Sequence, residues 1–136
     1  MELVFSEDNL MERKKTQLSD ENGQLLYWGI YDFAYKYRTR IYDHNDNEIA
    51  YVEKDIASSD TPVFFYDPLD KVIGNIFRKK DGCSSGPEGY EIKEDDVVIE
   101  VEGLMRKENG RLIIYDEEKV LKCLMIMFGM IEIKRQ

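Results

Sequence analysis

The sequence predicts a mainly β domain: antiparallel hairpins curled into a barrel or half-barrel of about ten to twelve strands around one hydrophobic C-terminal helix. Three observations carry this. The stretch Val120 to Ile131 is apolar except for Lys122 and Gly129. Upstream of it, short β-capable runs alternate with acidic turns. Two of those hairpins, and more weakly a third, repeat one another in register at a few matched positions.

The final run reads as a helix spanning about residues 117–133. Leu, Met and Lys favour helix, and Met fills irregular gaps. Asp116-Glu117-Glu118 precedes it and Lys134-Arg135 follows, the charge order that suits a helix dipole. A helix apolar on every side is a core helix or a membrane span, and a span needs roughly 20 apolar residues, more than this run offers. A flat sheet would cover only one face of such a helix. A curled sheet covers all of them and hides its own edges.

Taken in order, Leu3 to Phe5 is a first short strand and Met11 to Leu18 a second. Asp20-Glu21-Asn22-Gly23 is a hairpin turn, Asn-Gly being a strong signal. Leu25 to Ile30 follows, then a connection over Asp32 to Lys36 and a strand from Tyr37 to Tyr42. The phrase Tyr42-Asp43-His44-Asn45-Asp46-Asn47-Glu48-Ile49-Ala50-Tyr51-Val52 matches Tyr66 to Ile76 in register, through Tyr, Asp, Asp and Ile. Asp20, Gly23 and Leu26 form a weaker third copy. Each copy is strand, acidic turn, strand, with residues that bond their own backbone and tolerate left-handed conformation. Residues 57–62 and 82–89 are loops. Tyr90 to Lys93 and Val97 to Glu102 form another hairpin, and Arg111 to Tyr115 a last strand after Glu108-Asn109-Gly110. Strands thus occupy residues 3–115 of a single domain, 1–136.

Composition excludes several roles. A formal net charge of -9 disfavours nucleic acid, which needs a clustered basic surface. Cys83 and Cys123 have neither metal nor disulfide-framework spacing. The first residues lack a signal-peptide pattern, and free thiols point to the cytoplasm. His44, the one histidine, belongs to an Asp-Asn turn and has no orienting partner. Asp43 to Glu48 lacks the glycine and the terminal glutamate of a calcium loop. Cys83 with Ser84 and Ser85 has no neighbouring base. Gly82, Gly86 and Gly89 lack phosphate-loop spacing. The expectation is a non-enzymatic domain with no catalytic residue, metal or cofactor.

The phrases Ile41-Tyr42-Asp43 through Lys54, and Val72-Ile73-Gly74-Asn75-Ile76-Phe77-Arg78-Lys79, resemble those of LURP-one-related proteins in the tubby C-terminal-like superfamily, which also holds the phospholipid scramblases. The closing helix is similar to that family's central helix. The resemblance covers Asp20 to Ile133 and implies a twelve-stranded barrel threaded by the helix. The chain departs from the pattern between Gly103 and Asp116, where the family has another full hairpin. Tubby proteins bind phosphoinositide headgroups through basic clusters. No such cluster is matched here, so no binding residue is carried over, and neither the scramblase calcium motif nor its palmitoylated segment is present.

Function is therefore expected to be binding: of a lipid headgroup, another ligand or a protein. The alternative is an acidic interaction partner, inhibitor-like or immunity-like, that masks a basic surface. Candidate anion or partner contacts are Arg78, Lys79, Lys80, Arg106 and Lys107, with Lys71 nearby in the hairpin. The competing reading of the first three is a charged strand end guarding a sheet edge. The aromatic group from Tyr27 to Tyr37 is divided between core and surface, with Tyr27 and Trp28 facing opposite ways.

Overall fold

Alternating apolar residues and acidic turns build one antiparallel sheet. The structure, a computed structural model, describes residues 1–8, 10, 12, 14–33, 36–55, 62–79 and 86–135. Its strands are β1 (Glu2–Val4), β2 (Lys15–Ser19), β3 (Leu25–Phe33), β4 (Lys36–Asp43), β5 (Glu48–Asp55) and β6 (Val63–Tyr66). They continue as β7 (Val72–Arg78), β8 (Tyr90–Glu94), β9 (Val97–Glu100), β10 (Met105–Glu108) and β11 (Arg111–Ile114). Helix α1 (Val120–Lys134) closes the chain. The sheet order is β10-β11-β1-β2-β3-β4-β5-β6-β7-β8-β9. The departure noted between Gly103 and Asp116 is thus a complete hairpin, β10–β11, made of short strands.

The repeat is visible atom by atom. Asp20, Asp43 and Asp67 each turn a carboxylate oxygen back to accept two backbone N–H groups. The donors are Asn22 and Gln24, Asn45 and Asn47, and Leu69 and Lys71, all at 2.9–3.0 Å. Each turn has one left-handed residue: Gly23 (φ 82), Asp46 (φ 64) or Asp70 (φ 67). Just before each turn the register slips, at Leu18/Ser19, Ile41/Tyr42 and Phe65/Tyr66. A bulge raises the local twist, so repeating it coils the sheet.

The sheet is open in its hydrogen bonding and half-barrel-like. Every neighbouring pair is antiparallel, so an odd number of strands leaves the edge strands β9 and β10 running in the same sense. Pairing them would need a parallel seam, and a parallel connection takes a dozen or more residues. Only the 3-10 turn Val101–Gly103 and Leu104 lie between them. The chain leaves one edge as β9 and continues at the other as β10, joining the edges covalently where no ladder can. This corrects the strand expected over Val97 to Glu102. Val101 is fully buried, and the turn that buries it is closed by Leu104 N–H donating to the Val101 carbonyl at 2.9 Å.

Helix α1 fills the curl. Cys123 through Ile131 and Glu132 are buried without a break, so the helix has no solvent face along that stretch. Its entry is a 3-10 turn, Glu117–Lys119, capped by Asp116, which accepts from Glu118 N–H at 3.0 Å. Gly129 would be costly inside an ordinary helix, by about 1 kcal/mol relative to Ala. Here a Cβ would stand 2.7 Å from Ile76 Cγ2 and 3.2 Å from Phe65, so its absence lets helix and sheet approach. Gly29 on β3 works in the opposite direction: a Cβ there would overlap the ring of Phe128. Tyr27, with Gly29, faces the helix, while Trp28 lies on the outer face, stacked on Tyr42 with ring centroids 5.9 Å apart. Among the described residues no helix is long and apolar enough to cross a membrane.

Candidate functional site

Strand alternation fixes two unlike ends. The turns after β2, β4, β6 and β8, and the entry to α1, all lie at one end, because the strands before them run in one sense. That end carries Asp20-Glu21, Asp43 and Asp46, Asp67 and Asp70, Glu94-Asp95-Asp96 and Asp116-Glu117-Glu118. The C-terminus of α1 emerges at the other end. Acid at the helix N-terminus and cations at its C-terminus both suit the helix dipole.

At the C-terminal end a buried polar group anchors the helix. Lys54 shares the inward face of β5 with Ala50 and Val52, and it is 2% exposed. Its Nζ donates to the carbonyls of Ile133 (3.1 Å) and Arg135 (3.0 Å), two of the carbonyls a helix end leaves without an intrahelical donor. Glu132 is fully buried. Its Oε1 accepts from Thr39 Oγ1 at 2.7 Å, and its Oε2 lies 3.0 Å from Arg135 Nε in an ion pair not aligned as a hydrogen bond. The Arg135 guanidinium covers the Tyr31 ring at 3.7 Å. Burial holds the Glu132 carboxyl above the usual carboxylate range, opposed by Thr39, Arg135 and Lys54. Burial pushes Lys54 down, Glu132 pulls it back, and Arg78 pushes it further.

The predicted cations are sorted by strand parity. Arg78 follows buried Ile76 on the same face of β7, and its guanidinium lies 5.8 Å from the ring of buried Tyr90. Lys107 shares the inward face of β10 with buried Met105 and pairs with Glu7 at 3.0 Å. Both therefore stand in the mouth around the helix end. Lys79 and Arg106 point outward, where Lys79 meets Glu100 (3.3 Å) and Glu102 (3.8 Å) and Arg106 meets Glu108 (3.1 Å). Lys80 lies outside the described residues, as do Cys83, Ser84, Ser85 and Gly82. The edge-guard reading of this segment is corrected: β7 pairs with β6 on one side and β8 on the other, so it is an interior strand. Lys71 is in a turn at the acidic end, away from the mouth.

The mouth gains a residue not singled out from sequence, Lys134. Burial, then Lys107 and Arg78, push its ammonium below the ordinary lysine range, with Glu7 opposing. Three cations from two strands and a helix thus lie at this end, with Lys107 and Arg78 both acting on Lys134, in a protein that is acidic as a whole. Beside them lies an apolar cavity of about 80 Å³ lined by Leu10, Met105, Met127, Met130 and Ile131, with Lys107 and exposed Lys134 completing its wall. The signal for Lys134 was present in the chain, since the last turn of a helix threading a barrel must reach the mouth.

Elsewhere, β1 and β2 pair only at Val4↔Ser19, which leaves an open cleft of about 670 Å³ bordered by Val4, Phe5, Lys15, Gln17 and Asp20. Two of its charged groups are engaged: Lys15 covers Trp28 at 5.1 Å, and Asp20 holds its own turn. His44 is exposed on the turn after β4, at the end opposite the mouth. Asp43, in the same turn, is held below the usual carboxylate range by the backbone N–H groups it accepts from.

Comparison of the chain with family models, with curated proteins and with solved structures finds no match in any of the three.

Proposed function

We propose that this is a non-enzymatic binding domain of the tubby C-terminal-like type that receives an anionic group at the mouth around its helix C-terminus. The placement of Lys107 and Lys134 on the wall of one cavity, with Arg78 at the end of β7 on the same inward face as Ile76, carries the reading. Glu7 pairs with Lys107 and offsets part of the repulsion among the three cations, and an anion seated among them would offset more of it. The hairpin phrases that resemble LURP-one-related proteins support the same class of function. The binding reading is also favoured by the placement of His44 on an exposed turn at the opposite end. Flotation with liposomes of differing headgroup, at about 0.15 M salt, tests the lipid form. Binding that depends on anionic headgroup and weakens in Lys134→Glu supports it; equal recovery with neutral and anionic vesicles would remove it.

A second reading rests on the acidic end. Five chain segments bring carboxylates there, and a protein with a basic surface fits it by charge. Pull-down at low and high salt with the turn variant Asp95→Asn/Asp96→Asn separates the two. A basic partner retained by the wild type and lost by the variant favours the acidic end.

A further inference from the structure

Charge alone does not describe the mouth. The cavity beside Lys134 is walled by three methionine side chains, Met105, Met127 and Met130, exposed by 1%, 2% and 4%, together with Ile131 and Leu10. Methionine is unbranched and polarizable, and it repacks around irregular apolar groups at little cost. An apolar void in a core is a liability, because its lining loses dispersion contacts. One that reaches a cationic rim has the features of a ligand site: apolar walls and a few polar groups that set orientation.

We infer that the mouth takes an anion bearing a short unbranched apolar tail, such as an aliphatic carboxylate, with the tail among the methionines and the charge between Lys107 and Lys134. The occupant follows from the two wall chemistries together. The lysines select a negative group, and the methionines and Ile131 reject a hydrated one. Size follows from volume: an apolar cavity of about 150 Å³ holds benzene, so about 80 Å³ has room for roughly three or four carbons. Lys107 is partly satisfied by Glu7 at 3.0 Å, so Lys134 supplies the larger share of free positive charge. The inference rests on the proposed anion-binding mouth and adds the tail.

The test is a titration of the full chain, carrying methyl-labelled methionine, with acetate, propanoate, butanoate, pentanoate and hexanoate. Inorganic phosphate and butanol serve as single-feature controls. The expected result is movement of the Met105, Met127 and Met130 methyl signals, with buried Met125, which does not line the cavity, as internal reference. Affinity should rise about fourfold per methylene up to butanoate or pentanoate and then level off. Lys134→Ala, at an exposed position that leaves the core intact, should weaken butanoate about three- to tenfold. Phosphate and carboxylates binding alike, with no carboxylate moving a methionine methyl signal, would leave the mouth standing and overturn the tail site. Butanol binding as tightly as butanoate would overturn the role given to the lysines. No binding by any anion would overturn the tail site and the anionic mouth together.

Discussion

Gly29 and Phe128 form a contact whose sign can be reversed. A Cβ on Gly29 would fall on the outer ring atoms of Phe128, which is itself 3% exposed and held by the curled sheet. Two effects oppose each other in Gly29→Ala. Replacing a strand glycine removes unfolded-state freedom and stabilises by about 0.5–1 kcal/mol. Overpacking a filled core costs about 1–3 kcal/mol. The second wins, and Gly29→Ala should lose about 0.5–2 kcal/mol, or about 2–7 °C in Tm at roughly 3–4 °C per kcal/mol for a chain of this size. Phe128→Leu deletes the ring atoms that a Cβ would meet. In that background Gly29→Ala should gain about 0.5–1 kcal/mol. The cycle therefore predicts a coupling of about 1–3 kcal/mol. Urea unfolding, followed by Trp28 fluorescence and far-ultraviolet circular dichroism, measures all four species. Additive losses, with Gly29→Ala destabilising equally in both backgrounds, would show that the ring is not what excludes a side chain at position 29.

Other outcomes follow from the same packing. Removing residues from Val120 onward strips the core of an unbroken buried stretch, and the remainder should show no cooperative thermal transition; a soluble truncation with a sharp transition would contradict the central role of α1. Thr39→Val keeps the shape of the side chain but deletes the hydroxyl bonded to buried Glu132, and it should cost about 1.5–3 kcal/mol. Because burial raises the Glu132 pKa, acid neutralises the carboxylate left without its hydroxyl donor, so the loss should shrink as the pH is lowered; a loss independent of pH would place the effect elsewhere. Burial lifts the Cys123 thiol from an ordinary value of 9.0 to about 11. The folded chain thus holds this proton more tightly than the unfolded one, and its contribution, complete below pH 9.0, declines as pH rises toward 11. In Cys83→Ala, a thiol reagent at neutral pH should label Cys123 only at the rate of unfolding; rapid labelling of the native protein would refute the burial.

The hairpins were legible because their chemistry is local. Asp20, Asp43 and Asp67 bond backbone groups two and four residues away, so sequence neighbours contain the whole interaction. The helix was legible because no flat surface could cover it. What sequence could not supply were contacts between distant segments. Gly29 meets Phe128 and Lys54 reaches Ile133, and neither pairing leaves a trace along the chain. Lys54 stands near the charged end of β5, yet alternation from Ala50 and Val52 turns it inward and the helix end satisfies it. Of the candidate cations, Arg78 and Lys107 reach the mouth while Lys79 and Arg106 face away, a division that needs strand parity. The expected ten to twelve strands include the eleven found among the described residues. The meaning of an odd number emerges only when the ends of the order are compared.

The separation of charge along the helix axis has a kinetic side. The 15 residues of α1 span about 22 Å at 1.5 Å per residue. In about 0.01 M salt the screening length, about 30 Å, exceeds that span, so an approaching anion feels the whole molecule and its acidic excess. At about 0.15 M the screening length falls to about 8 Å, the far carboxylates vanish from view, and the near lysines dominate. Association of a small anion with the mouth should therefore speed up as salt is first added, and slow only at higher salt. Such a maximum in on-rate against ionic strength is the kinetic signature of a chain that is acidic overall and basic where the anion arrives.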